Sequence, residues 1–193
     1  MIDSALEQRF VSEIGLNPLN REILARMPDL DVRQGFLVAG CLVQTIWNVR
    51  SGRPPGADIK DYDIFYYDDR DLSWEAEDAV IRQAAALFRD LGVIVELRNQ
   101  ARVHLWYEQH FGTPYPRLAS SQDGIDRFLV PCTCVGVRPR RGGDAELYAP
   151  YGLDDVYAGI LRRNPINDQP HLFAAKAASY QARWPFLRIA SRL

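Results

Sequence analysis

The chain has 193 residues, 47% of them hydrophobic, a formal net charge of −2 and three cysteines. A chain of this length removes roughly 70% of its unfolded surface from water, so a core forms without metal or disulfide staples, and so small a net charge supplies no global field for long nucleic acid. Cys41, Cys132 and Cys134 make an odd set with no Cys-x-x-C and no paired histidines, which points to neither a disulfide framework nor a zinc site. The N-terminus lacks a basic leader and no apolar stretch approaches a membrane span, so a reducing cytoplasm is expected.

In chain order, Ser4 caps a helix through Ile14 with Leu6, Phe10 and Ile14 on one face, and Asn17-Pro18 starts a second helix running to Met27. Phe36-Leu37-Val38 is a short apolar strand ended by Ala39-Gly40, after which Cys41 to Val49 shows helical spacing at Leu42, Ile46 and Val49. Ser51 to Gly56 forms a loop, and Tyr62 to Tyr67 reads as the next strand. A long helix from near Ser73 to Gly92 leads to the strand Val93 to Leu97. Cys132 and Cys134 are expected on one buried face of a strand Thr133 to Val137. Ala145 to Ala149 is a further strand, and Arg138, Arg140 and Arg141 cluster beside Gly142-Gly143 in a solvated hairpin tip between the two. Leu153 to Leu161 and His171 to Trp184 are the last helices, with no repeat and no call for a second domain within 1–193.

The chemistry concentrates between Gly35 and Asp68. Gly40 lets the backbone approach a ligand where the first N–H groups of a helix lack internal partners, a place suited to a triphosphate held by Gly40 and Cys41. Asp61 and Asp63, two apart on a strand, face the same way. Side by side on an apolar strand they are costly without a cation, and Mg²⁺ favours carboxylates plus substrate phosphates. Arg50, Arg53 and Lys60 are the cations best placed to reach phosphate, with Arg53 and Lys60 expected to bind the nucleotide, each also readable as a solvated loop charge. Trp47 reads as core. His104 and Glu108 sit one helical turn apart without further zinc ligands.

The order strand, glycine turn, helix, loop and Asp61-Tyr62-Asp63 resembles the DNA polymerase β superfamily of nucleotidyltransferases. The text Leu37-Val38-Ala39-Gly40-Cys41-Leu42-Val43, with Gly52-Arg53-Pro54-Pro55, is similar to the head of bacterial tRNA CCA-adding enzymes and poly(A) polymerases. The chain is more similar still to a small bacterial nucleotidyltransferase-like family, with comparable text at Asn99 to Trp106, Tyr148 to Asp155 and Ala174 to Pro185. Two departures stand out: Cys41 replaces the second Gly or Ser of the turn, and Gln44-Thr45 replaces an Arg-Asp pair of the CCA-adding enzymes.

The resemblance implies an α/β fold, a small mixed sheet flanked by helices, and transfer of a nucleoside monophosphate from an NTP to an acceptor hydroxyl with release of pyrophosphate. It implies that Asp61 and Asp63 hold Mg²⁺ or Mn²⁺, that a third carboxylate comes from a neighbouring strand, with Glu96 the candidate and Glu146 the reserve, and that the acceptor is a small molecule, an RNA end or a protein hydroxyl. The segment from Arg98 to Glu108 then begins at the mouth of the site, where Asn99 and Gln100 offer hydrogen bonds and Arg102 holds phosphate or an acceptor carboxylate, the same letters also reading as a helix-capping Asn and a surface Arg. Three rivals stand beside it: a metal-dependent glycosyltransferase, a non-catalytic nucleotide- or partner-binding domain, and an AMP-adding enzyme that modifies a protein in a toxin–antitoxin pair.

Overall fold

Phe36–Val38 (β1) is buried at every position, because it lies at the centre of a five-stranded sheet with side chains packed on both faces. Asp61–Tyr66 (β2) runs antiparallel beside it, and Ile94–Asn99 (β3) pairs parallel with β2 at the outer edge. On the other side Gly136–Pro139 (β4) and Ala145–Tyr148 (β5) complete the order β3-β2-β1-β4-β5. The computed structural model describes residues 5–140 and 145–190, so Ser4 and the hairpin tip with Arg141 and Gly142-Gly143 lie outside the described residues.

The helices follow the predicted order. Ala5–Ile14 (α1) buries Phe10 and Ile14, and Pro18–Arg26 (α2) starts after Asn17, whose side chain accepts from the Leu19 N–H. Gly40–Arg50 (α3) follows β1. Trp74–Leu87 (α4), capped by Ser73, carries the chain from β2 to its parallel neighbour β3, a connection that antiparallel strands would not need. Val103–Phe111 (α5), Ser121–Ile125 (α6), Asp154–Ala158 (α7) and Pro170–Arg183 (α8) complete the set. Among the described residues no helix is long and apolar enough to cross a membrane.

Strand alternation divides the sheet into unlike faces. Leu37, Tyr62, Ile64 and Leu97 point into the main core with Phe10, Ile23, Leu42 and Ile46. Phe36 and Val38 point the other way, into a smaller cluster with Ile125 and Cys134, against which Phe65, Phe128 and Tyr148 pack. This second layer covers only part of its face, and the starts of β2 and β3 remain open.

Two sets of buried contacts fix the parts that border that opening. Asn17 Nδ2 donates to Thr45 Oγ1 and Tyr62 Oη, and Asn20 Nδ2 to the Ile14 and Cys41 carbonyls, joining α2 to α3 and β2. Trp47 is fully buried, as expected of core. Its ring meets Tyr180 edge-on at 5.1 Å and Trp184 at 5.3 Å, and its indole N–H donates to the Val156 carbonyl. The indole of Trp184 donates in turn to Asn48 Oδ1 at 2.9 Å, so α8 is bolted to α3.

Three elements differ from expectation. The helix expected to reach Gly92 ends at Leu87, where the chain tightens into a 3-10 turn at Arg89–Leu91 before left-handed Gly92. Leu153 to Leu161 is not one helix. Left-handed Gly159 stops α7, and Ile160–Leu161 (β6) pairs parallel with Arg188–Ile189 (β7). A side chain at Gly159 would press on the Phe186 ring. Cys132 and Cys134 do not share a strand face, because Pro131–Thr133 is a 3-10 turn that delivers them to different clusters.

The Trp47 anchor predicts that Trp47→Ala lowers unfolding free energy by about 3–5 kcal/mol in urea denaturation, through cavity formation and an orphaned Val156 carbonyl.

Candidate active site

At the open face, β2 places Asp61 in solvent and Asp63 half-buried, with Tyr62 between them in the core. The register then sets Glu96 of β3 directly beside Asp63, while Val38 flanks Asp63 on the other side. Three carboxylates thus occupy two adjacent strands on one face. Burial pushes the Asp63 carboxyl up to about 6, with Glu96 and Asp61 adding repulsion and Lys176 and Arg98 opposing it. Arg98 lies 3.3 Å from Glu96 in an exposed pair.

Above these carboxylates, β1 passes into α3 through Ala39, held at φ 53° in a region that disfavours side chains and anchored by its N–H to the Val135 carbonyl. The Leu42 and Val43 N–H groups bond to the Ala39 carbonyl, and Gly40 and Cys41 open the first turn of α3, where backbone N–H groups have no partner within the helix. The Cys41 side chain turns into the core, its thiol against the Val38 carbonyl and pushed well up by burial, so only its backbone remains for a ligand. A Cβ at Gly40 would come within 2.8 Å of the Gln44 amide.

These groups border a cleft of about 700 Å³ with Asp61 and Asp63 on one wall, Gly40 and Gln44 beside them, and a stripe of α8 opposite. That stripe is Lys176, Ser179, Tyr180 and Arg183, spaced at i, i+3, i+4 and i+7 and therefore on one helical face. Arg183 donates to Gln44 Oε1 at 2.9 Å, linking α8 to α3 across the cleft. Lys60 also lines it, and Lys60 and Lys176 are the chain's only two lysines.

The expected site residues therefore separate into two groups. Asp61, Asp63, Glu96, Gly40, Cys41 and Lys60 come together. Arg53 stands just behind, paired with Asp58 and donating to the Arg183 carbonyl, while Arg50 stacks on Phe186. Asn99 and Arg102 require correction. Because β3 runs parallel to β2, the chain beyond Glu96 travels away from the carboxylates rather than into the mouth of the site. Asn99 is buried there, accepting from the Asp68 and Ala101 N–H groups and donating to the Asp68 carbonyl. Arg102 is buried in an ion pair with Glu77, which also accepts from the Asn99 N–H. Glu146, the reserve carboxylate, is committed to Arg138 and Arg140 in the β4–β5 hairpin.

A sequence profile for nucleotidyltransferases matches residues 25–189. The chain belongs to the nucleotidyltransferase family. It is also similar to a protein whose NMR structure "reveals a CCA-adding enzyme head domain", with 27% identity over 96% of both chains and a TM-score of 0.77. A tRNA-processing enzyme complex shares the fold at 10% identity and a TM-score of 0.50, over 87% of this chain and 43% of that one. No protein of curated function matches the chain. Nucleotidyl transfer is therefore the general activity of this enzyme.

Among the described residues no three His, Cys, Asp or Glu side chains are arranged to hold a metal ion by themselves. The carboxylates of this nucleotidyltransferase are of the kind a hard divalent cation takes, since burial first and the neighbouring Glu96 and Asp61 second raise Asp63, and such a cation binds one or two carboxylates with substrate phosphates completing its shell. Sequence reading passed over Lys176 and Arg183 as cleft residues. The scarcity of lysine and the i, i+4, i+7 stripe of Lys176, Tyr180 and Arg183 were the signals available.

Two outcomes follow from this geometry. Asp63 has a folded value of about 6 against an ordinary 3.8, so the folded state binds its proton more tightly and the electrostatic strain is complete above pH 6 and fades as pH falls toward 4. In chelator, Asp63→Asn raises stability by about 1–3 kcal/mol at pH 7.5, and the gain shrinks at pH 4.5, as read by urea denaturation. Arg102→Met leaves Glu77 as an unpaired buried charge and costs about 3–5 kcal/mol in the same assay, without changing nucleotide affinity under native conditions.

Proposed function

We propose that this enzyme moves a nucleoside monophosphate from an NTP to an acceptor hydroxyl with release of pyrophosphate, using a divalent metal, in the cytoplasm. The observation that carries the reading is the meeting, at one cleft, of the Asp61 and Asp63 face with the start of α3 at Gly40, whose first N–H groups have no partner within the helix. Those N–H groups and the positive end of α3 receive the β- and γ-phosphates. Lys60 and Lys176 offset the remaining phosphate charge from opposite walls. Asp61, Asp63 and Glu96 would hold Mg²⁺ or Mn²⁺, which would supply Lewis-acid stabilisation of the phosphoryl charge. Glu96, on the solvent-open edge strand, accepts the acceptor's proton, and Asp63 keeps its position through the Tyr62 and Ile64 anchors on either side.

The CCA-adding head to which the chain is similar makes an RNA end one acceptor to test. Against it stands the pair Gln44-Thr45 just past the turn, since Thr45 is consumed in the buried network with Asn17 and Asn20, and Gln44 is held by Arg183.

Thermal unfolding with each of the four NTPs, in Mg²⁺ and in EDTA, tests the donor site. A nucleotide at a hundred times its Kd adds about 2.7 kcal/mol, a rise of roughly 5–10 °C for this size, confined to Mg²⁺ and absent from Asp61→Asn/Asp63→Asn. Pyrophosphate release by that double variant should fall at least about a thousandfold. Retained turnover in the double variant, or no nucleotide effect on the wild type, would remove the reading.

A further inference from the structure

A second cleft, of about 280 Å³, opens where the first one ends, and Phe128 and Leu129 form a wall common to both. Its position follows from strand alternation. Phe65 lies two residues beyond Asp63 and Arg98 two beyond Glu96, paired in register on the same face and about 7 Å further along the strands. The lining is aromatic: Phe65 stacks on Phe128 at 5.3 Å, and Tyr107 meets Tyr115 at 4.3 Å. Two guanidinium groups interrupt it. Arg98 is turned toward Glu96, while Arg127 lies 5.5 Å over the Tyr115 ring, reaches the Ile166 carbonyl and pairs with no carboxylate among the described residues.

From these features we infer that this pocket holds the acceptor, and that the acceptor is a small planar aromatic hydroxy acid. The inference rests on the transfer reading above and specifies its second substrate. Aromatic walls select a flat ring, the unpaired Arg127 selects an anionic substituent, and the volume admits a ring or two but no polymer. The common wall and the Arg98–Glu96 pair bring such a ligand's hydroxyl to the carboxylate end. In the reaction the acceptor O–H gives its proton to Glu96 and its oxygen bonds to the α-phosphorus of the NTP. The bond from that phosphorus to the bridging oxygen breaks, and pyrophosphate leaves with the electron pair.

The test uses the full chain with 4-hydroxybenzoate as probe, titrated by saturation-transfer NMR in EDTA without nucleotide, alongside the NTP thermal-shift measurement. Wild type binds the probe. Arg127→Gln and replacement of the probe by neutral 4-hydroxybenzyl alcohol each weaken binding about tenfold or more, while Phe111→Ala, at a side chain 52% exposed on the rim, weakens it several-fold. Both variants keep the NTP-induced shift, which reports the other cleft. No probe binding, or binding indifferent to Arg127→Gln, with the NTP shift intact would overturn the acceptor pocket alone. Tighter binding of a single-stranded oligoribonucleotide that depends on Arg127 would overturn it in favour of RNA. Probe binding with no NTP shift would remove the transfer reading and the acceptor role together.

Discussion

Three carboxylates on neighbouring strands repel one another, and the rest of this molecule is arranged to hold them together regardless. Asp63 cannot swing away, because Tyr62 and Ile64 on either side of it are sunk in the main core and its strand is flanked by β1 and β3. Glu96 is set beside Asp63 by register, with the exposed Arg98 pair as its own contact. The repulsion is thus stored in a sheet too well anchored to relax, which is the usual way a folded protein keeps a destabilising but functional arrangement.

The same logic extends to the opposite wall. α8 carries Lys176 and Arg183 into the cleft only because Trp47, Tyr180 and Trp184 interlock behind it. Tyr180 of this cluster itself lines the cleft that Asp61 and Asp63 border, so the same rings that fix α8 also face the space above the carboxylates. Lys176 then acts on Asp63 through that space, partly offsetting the repulsion that the strands impose.

How much of this was legible in the sequence depended on the range of the interactions involved. The run from Phe36 to Tyr66 could be read because strand alternation, a glycine turn and a helical repeat are local signals, and Asp61 and Asp63 share a face by alternation alone. Glu96 was legible only through the family resemblance, which implies a third carboxylate on a neighbouring strand, and the run Val93 to Leu97 was the next apolar strand along the chain. Asn99 and Arg102 were misplaced because closeness to Glu96 along the chain says nothing about strand direction, and the partner that claims Arg102, Glu77, lies on a different helix. Lys176 and Arg183 arrive from more than a hundred residues downstream, and although their helical stripe is visible in the sequence, no local signal assigns that stripe to this cleft. The β6–β7 pair, two residues in each strand, is too short to leave a pattern.

β3 is both the strand that supplies Glu96 and the free border of the sheet. A border strand presents unpaired backbone groups to any other chain, and proteins commonly blunt such borders with charge. Here Glu96 and Arg98 place alternating charges along it. Exchanging them for apolar residues would leave a flat, adhesive border starting at the already exposed Ile94. On the transfer reading proposed above, Glu96 therefore serves the border and the chemistry together, and one substitution there touches both.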